Sequence, residues 1–133
     1  MSAYKVMIID DNEIDNFISG RVIKDIDFSE SIIVMNSGVS ALEYIKENQY
    51  DLDKLPDFIF LDLNMPVVDG FVFLFEFEDF SELVRTHCKI IVLSSLLEQQ
   101  IIDKVMRNPH VLDFVPKPLT IQTLHRISAK IVA

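Results

Sequence analysis

The run from Phe58 to Leu61 is wholly apolar and of strand length, stops at a carboxylate, Asp62, and is followed by Pro66 and Asp69-Gly70, which break regular structure. Unbroken apolarity over such a run fits a strand covered on both faces, the condition of a parallel sheet flanked by helices. Asp62 then lies at the C-terminal end of a buried strand. In open α/β sheets that edge is where ligands bind, because the loops converge there and the following helices turn their positive ends toward it. A lone carboxylate in that place can also be a helix cap or turn former, so the rest of the chain has to decide.

Four other segments repeat the pattern. Lys5 to Ile9 reads as a short buried strand ending at Asp10-Asp11, after which Ile14, Phe17, Ile18 and Val22 fall three and four apart and predict a helix to about Ile26. Ser31 to Met35 is the next β-branched run. Ser37 can cap a helix whose inward stripe is Val39, Ala41, Leu42 and Ile45, ending near Glu47. Between Phe71 and Leu83, Phe73, Phe75 and Phe77 alternate in a way that alone favours a strand, while Phe73, Phe77, Phe80 and Val84 lie at helical spacing. A crossover between parallel strands usually contains a helix, so a helix is expected, leaving Phe71 or Phe75 off its buried stripe. Lys89 to Leu93 is a fourth strand closing at Ser94-Ser95. A helix from about Leu97 to Arg107 follows, with Ile101, Ile102, Val105 and Met106 as its core face and Asn108-Pro109 as its stop. Val111 to Val115 forms the fifth strand before Pro116-Lys117-Pro118, and Thr120 caps a last helix carrying Ile121, Leu124, Ile127, Ser128 and Ile131 on one side. Five strands alternating with five helices imply an α/β, doubly wound parallel sheet.

Composition narrows the partners. The chain of 133 residues fits one domain over 1–133, with no residue left for an output domain, and half of it is apolar, which excludes a disordered protein. Lys and Arg number 12 against 21 Asp and Glu, a formal charge of −9 that opposes nucleic-acid binding. Cys88 alone cannot form an internal disulfide, and Met1 to Lys5 carry no charged-then-apolar leader, so a reducing cytoplasm is expected. No apolar run approaches the roughly 18 residues of a membrane span.

The strand ends carry the chemistry. The first finishes at Asp10 and Asp11, the third at Asp62, the fourth at Ser94, and the fifth just before Lys117, all on one edge of the sheet. Clustered carboxylates raise one another's pKa unless a cation neutralises them. All-oxygen ligation completed by water and a phosphate oxygen suits Mg²⁺ better than a closed Ca²⁺ cage. The acids imply a metal and the metal implies an anion. A lysine and a hydroxyl at the same edge can hold phosphoryl oxygens, and Asp62 becomes a nucleophile that can accept a phosphoryl group as a mixed anhydride.

With these residues in this order and spacing, Asp10-Asp11, Asp62 through Gly70, Ser94-Ser95 and Lys117-Pro118, the chain resembles the receiver domain of two-component response regulators over nearly its whole length. The resemblance implies a flavodoxin-like strand order of 2-1-3-4-5 and a stand-alone signalling domain rather than a metabolic enzyme. It implies Asp62 as phosphoacceptor, charged from a phosphohistidine on a sensor histidine kinase or histidine phosphotransfer protein. Asp11, Asp62 and the backbone carbonyl of Asn64 would ligate Mg²⁺ directly and Asp10 through water. Ser94 and Lys117 would hold the phosphoryl oxygens, with a cis bond before Pro118. Phe114 stands at the position of the switch aromatic, although core packing explains it equally. The phosphorylated state would alter the face built from the helix at Leu97–Arg107, the fifth strand and the last helix, which a downstream effector protein reads.

Some residues depart from the common pattern or have plainer roles. Pro116 stiffens the Lys117 loop, Asn108-Pro109 replaces a glycine-containing turn, and Phe114 lacks the hydroxyl of a tyrosine. Leu96, two beyond Ser94, is apolar where water reaches the acyl phosphate. Asn12, Glu13 and Asp15 read as helix-start residues rather than ligands, and His87, His110 and His125 lack metal-like spacing. A Mg²⁺-dependent aspartyl phosphatase needs a second acid two residues after its nucleophile, where this chain has Asn64, an amide that cannot transfer the proton. A flavodoxin-like electron carrier needs a phosphate-cradling first loop, which the acids from Asp10 would repel. The remaining rival is a receiver fold that acts as an interaction module without phosphorylation.

Overall fold

Side-chain alternation along the central strands feeds two separate cores. In β1 (Tyr4–Ile9), Met7 and Ile9 join one core while Val6 and Ile8 join the other; in β3 (Phe58–Asp62), Ile59 and Leu61 oppose Phe58 and Phe60; in β4 (Lys89–Ser94), Ile90 and Val92 oppose Ile91 and Leu93. The computed structural model, which describes residues 4–132, pairs these strands with β2 (Ser29–Met35) and β5 (Val111–Pro116) in one five-stranded sheet. Every pairing is parallel, and the order is β2-β1-β3-β4-β5. One core lies under α1 (Glu13–Asp25) and α6 (Ile121–Val132). The other lies under α2 (Gly38–Glu47), α3 (Gly70–Phe77), α4 (Glu82–His87) and α5 (Gln99–Met106). A single 3₁₀ turn, Leu52–Lys54, precedes β3. Among the described residues no helix is long and apolar enough to cross a membrane.

The strand order places β1 and β3 at the centre, with the chain leaving β1 toward β2 on one side and reaching β3 on the other. Asp10 and Asp62 stand at the C-terminal ends of β1 and β3, at that reversal, the position at which open α/β sheets bind ligands.

Two sequence expectations need correction. The third crossover is two helices rather than one, making six among the described residues. Ser81 breaks it: its side chain accepts from the Val84 N–H, its hydroxyl donates to the Gln49 carbonyl at 2.6 Å, and its own N–H donates to Gln49 Oε1 at 2.9 Å. A side chain that caps a new helix competes with continuing the old one. Phe73 and Phe77 are buried as the helical spacing requires, Phe75 is exposed, and Phe71 is partly covered by the Lys104 ammonium 4.4 Å from its ring centre. The second correction concerns α1. Ile14 and Phe17 are 70% and 68% exposed, and the face against the sheet is Asn16, Ser19 and Ile23. Asn16 faces inward because its amide donates to the Asp10 carbonyl at 2.9 Å, and the small Ser19 lets the helix approach. Val39, Met106 and Ile121, expected on core faces, are likewise exposed, whereas Ala41, Ile45, Val105, Leu124 and Ile127 are buried as expected.

Candidate functional site

β1 delivers Asp10, whose N–H donates to the Met35 carbonyl at 3.1 Å and whose Oδ1 accepts the Asn12 N–H at 2.9 Å. Its carboxylate is thereby fixed beneath the start of α1, which Asn12 caps through the Asp15 N–H. Asp62, the last residue of β3, is buried beside it. Asp10, Asp11 and Asp62 each offer one carboxylate oxygen, and those atoms lie within 4.8 Å of one another; Asp11 is exposed at the mouth. Three oxygens of one charge type at such range form a donor set for a hard divalent cation, which would relieve their repulsion.

Lys117 arrives from the far side of the sheet, one residue beyond β5. Its N–H donates to the Ser94 carbonyl at 3.0 Å, anchoring the loop to β4, and the Lys117–Pro118 bond is cis, as expected. The ammonium contacts Asp10 Oδ2 at 2.7 Å, Asp15 Oδ2 at 2.8 Å and Asp62 Oδ1 at 3.3 Å. Burial pulls the lysine pKa down, but the hydrogen bonds to Asp10 and Asp15 and the charge of Asp62 more than offset this, and the net shift is upward. Asp62 is pushed up to about 6, first by burial and then by the Asp10 charge, against the lowering effect of Lys117 and of the Asn64 N–H. Ser94 is buried at the end of β4, one residue past Leu93, the register partner of Asp62, and its Oγ accepts the Leu96 N–H at 2.9 Å. Asn64 is exposed two residues beyond Asp62. Phe114 is buried in the core under α5, already inside the protein.

Asp10, Asp11, Asp62 and Lys117 therefore meet, and Ser94 stands on the adjoining strand end. Sequence reasoning missed two participants, Asp15 and Asn16. Asp15 does lie in the first turn of α1, as its helix-start reading held, yet its carboxylate also points back to Lys117. The available signal was positional: a helix beginning directly after β1 keeps its first turn beside the strand end. His87 and His110 take no part: His110 Nε2 is hydrogen-bonded with Glu78 Oε1 at 2.9 Å, and His87 Nε2 lies 2.8 Å from Asp57 Oδ1.

The loop after β3 is shaped by two backbone constraints. A Cβ on Gly70 would meet Leu63 Cα at 2.7 Å and the Asp62 carbonyl at 2.9 Å, so only glycine lets α3 start this close to the acid. Val67 holds φ 64, with the Val68 N–H closing onto the Pro66 carbonyl at 2.8 Å, a three-residue turn in its strained form. A β-branched residue there is costly, and Val67 is 91% exposed, so it gains nothing from packing. Val67→Gly is expected to raise the free energy of unfolding by about 1 kcal/mol, the strain relieved exceeding the backbone entropy that glycine adds to the unfolded chain. Urea unfolding measures this; a lower midpoint would show that the turn carries no strain.

Comparison with known proteins agrees with this arrangement. A family model described as the response regulator receiver domain matches residues 6–129. A two-component response regulator from Cytophaga hutchinsonii superposes with a TM-score of 0.89 at 27% identity, covering 98% of each chain. The probable methanogenesis regulatory protein FilR2 of Methanothrix harundinacea is 26% identical over 91% of this chain and 76% of its own length. Response regulator Rcp1 of Synechocystis is 24% identical over 67% of this chain, a match spanning 61% of Rcp1. A family match over nearly the full length, on a sheet of the expected order with its acids and lysine gathered at one edge, places this chain in the response regulator receiver domain family.

Proposed function

We propose that this domain accepts a phosphoryl group on Asp62 from a phosphohistidine of a sensor histidine kinase or phosphotransfer protein, and that the phosphorylated state changes its affinity for an effector protein. The observation that carries this reading is the convergence of Lys117 on Asp62 and Asp10 from the opposite side of the sheet. A lysine whose side chain is only 14% exposed, with its ammonium beside the candidate acceptor, is placed to neutralise an incoming anion.

In the transfer, an Asp62 carboxylate oxygen attacks phosphorus, the P–N bond to the donor imidazole breaks, and the imidazole leaves with a proton taken from solvent. Asp62 needs no base, because the ionised carboxylate is itself the nucleophile. Lys117 holds one phosphoryl oxygen by charge, and the Ser94 hydroxyl, released from the Leu96 N–H, donates to another. Asp10, Asp11, Asp62 and the Asn64 carbonyl would hold Mg²⁺, which supplies charge neutralisation at the transferring group when bound. Ser94 and its loop lead into α5, so a hydroxyl drawn toward the phosphoryl group biases the face of α5, β5 and α6.

The test is intact-mass measurement after incubation with acetyl phosphate and Mg²⁺. Wild type is expected to gain one phosphoryl mass and Asp62→Asn none. Equal labelling would move the acceptor elsewhere, and an unlabelled wild type that still binds its partner would favour an interaction module independent of phosphorylation.

A further inference from the structure

Lys117 has three N–H donors and three carboxylate neighbours. Two of them, Asp10 and Asp62, belong to the acidic set at the strand ends. Asp15 does not. It hangs from the first turn of α1 with its carboxylate a third exposed, against 3% and 7% for Asp10 and Asp62, yet it binds the ammonium at 2.8 Å, closer than Asp62 at 3.3 Å. A charge-assisted hydrogen bond at so sheltered an ammonium is strong.

Resting on the reading that Lys117 holds the phosphoryl group on Asp62, we propose that Asp15 is a positioning residue that competes with that group for the Lys117 ammonium and so limits how firmly the phosphorylated state is held. Lys117 donates hydrogen bonds to Asp10 and Asp15 and only approaches Asp62, at 3.3 Å, so a phosphoryl oxygen on Asp62 that draws the ammonium nearer pulls it away from those two acids. Asp15 is the contact that yields, because its outer position lets water replace the lysine, whereas Asp10 is buried and fixed by the Asn12 N–H. Releasing it draws on the free energy gained by binding the phosphoryl group. Asp15 thus works through Lys117, without touching the phosphoryl group.

Beryllofluoride, which mimics the phosphoryl group, provides the probe, at saturating Mg²⁺ so that the loss of one acidic charge does not act through cation affinity. Asp15→Asn keeps the side-chain shape and removes the charge. It is expected to bind beryllofluoride about three- to tenfold more tightly than wild type, the size of one lost hydrogen bond to a charged group after solvent has replaced it. In a Lys117→Gln background the same substitution is expected to change affinity by less than about twofold, since residues that act only through each other lose their effects together. Asp15→Ala, which must also bind more tightly, replaces the asparagine variant should that fail to fold. Unchanged or weaker binding by either variant overturns the proposal. So does a gain that persists without the lysine, which would assign Asp15 a direct repulsion of the anion. If wild type takes up neither beryllofluoride nor a phosphoryl group, the proposed function itself fails; if wild type binds and the Asp15 variants bind no more tightly, only the competition fails.

Discussion

Lys117→Met, in protein stripped of divalent cations, is expected to lower the free energy of unfolding by about 2–4 kcal/mol, the usual consequence of removing one partner from a buried ionic cluster. Methionine keeps the length of the lysine stem, so the loss isolates the charge. Without the ammonium, Asp10 and Asp62, whose carboxylates are 3% and 7% exposed, face each other with Asp11 and Asp15 close by. The lysine is a lowering influence on the Asp62 pKa, so its removal drives that pKa further above about 6. The deficit should therefore shrink as the pH falls toward 5 and Asp62 takes up a proton. Added Mg²⁺ should restore more stability to the variant than it adds to wild type, because a cation that binds only the folded state stabilises by mass action and need not displace the ammonium. Urea unfolding with EDTA and with Mg²⁺ measures both effects. A variant as stable as wild type in EDTA would mean that the carboxylates do not rely on Lys117.

The same electrostatics explain which features the sequence made legible. Apolar strand runs ended by Asp, Ser or Lys can be read because a polar residue cannot extend a run buried on both faces; hence the parallel sheet and the meeting of Asp10, Asp62 and Lys117 at one edge matched expectation, while the strand order was legible only through the resemblance to receiver domains. The face of α1 could not be read by hydrophobicity. Asn16 is inside because a backbone carbonyl needs its amide, while Ile14 and Phe17 remain outside, and periodicity sees only the apolar members of that exchange. From Phe71 to Phe77 nearly every position is apolar, so no period stands out, and the break at Ser81 depends on a contact with Gln49, 32 residues away. Asp15 escaped notice because a correct local role concealed its distant one. An acid in the first turn already satisfies the helix end, and its bond to Lys117 spans 102 residues.

Asp62→Asn should make the cation-free protein more stable at neutral pH, a gain that accompanies loss of the proposed phosphoryl acceptor. Burial and the neighbouring Asp10 raise the Asp62 pKa from 3.8 to about 6. A rise of roughly two units corresponds to about 3 kcal/mol of folding free energy withheld when the group is ionised. The ion pair with Lys117 is already contained in that figure, because it lowers the Asp62 pKa, so the expected stabilisation is about 2–3 kcal/mol. The sign follows from proton uptake: between about pH 4 and 6 the folded state binds more protons than the unfolded one, so wild-type stability falls as the pH rises through that window. The penalty is complete above pH 7 and absent below pH 4, where both states carry the proton. Urea midpoints of the two proteins in EDTA should therefore diverge from pH 4 to 7.5. Mg²⁺ should narrow or reverse the neutral-pH gap, since it binds the wild-type carboxylate better than the amide. A gap of equal size at both ends of that pH range would show that Asp62 is not held in its charged form at a cost.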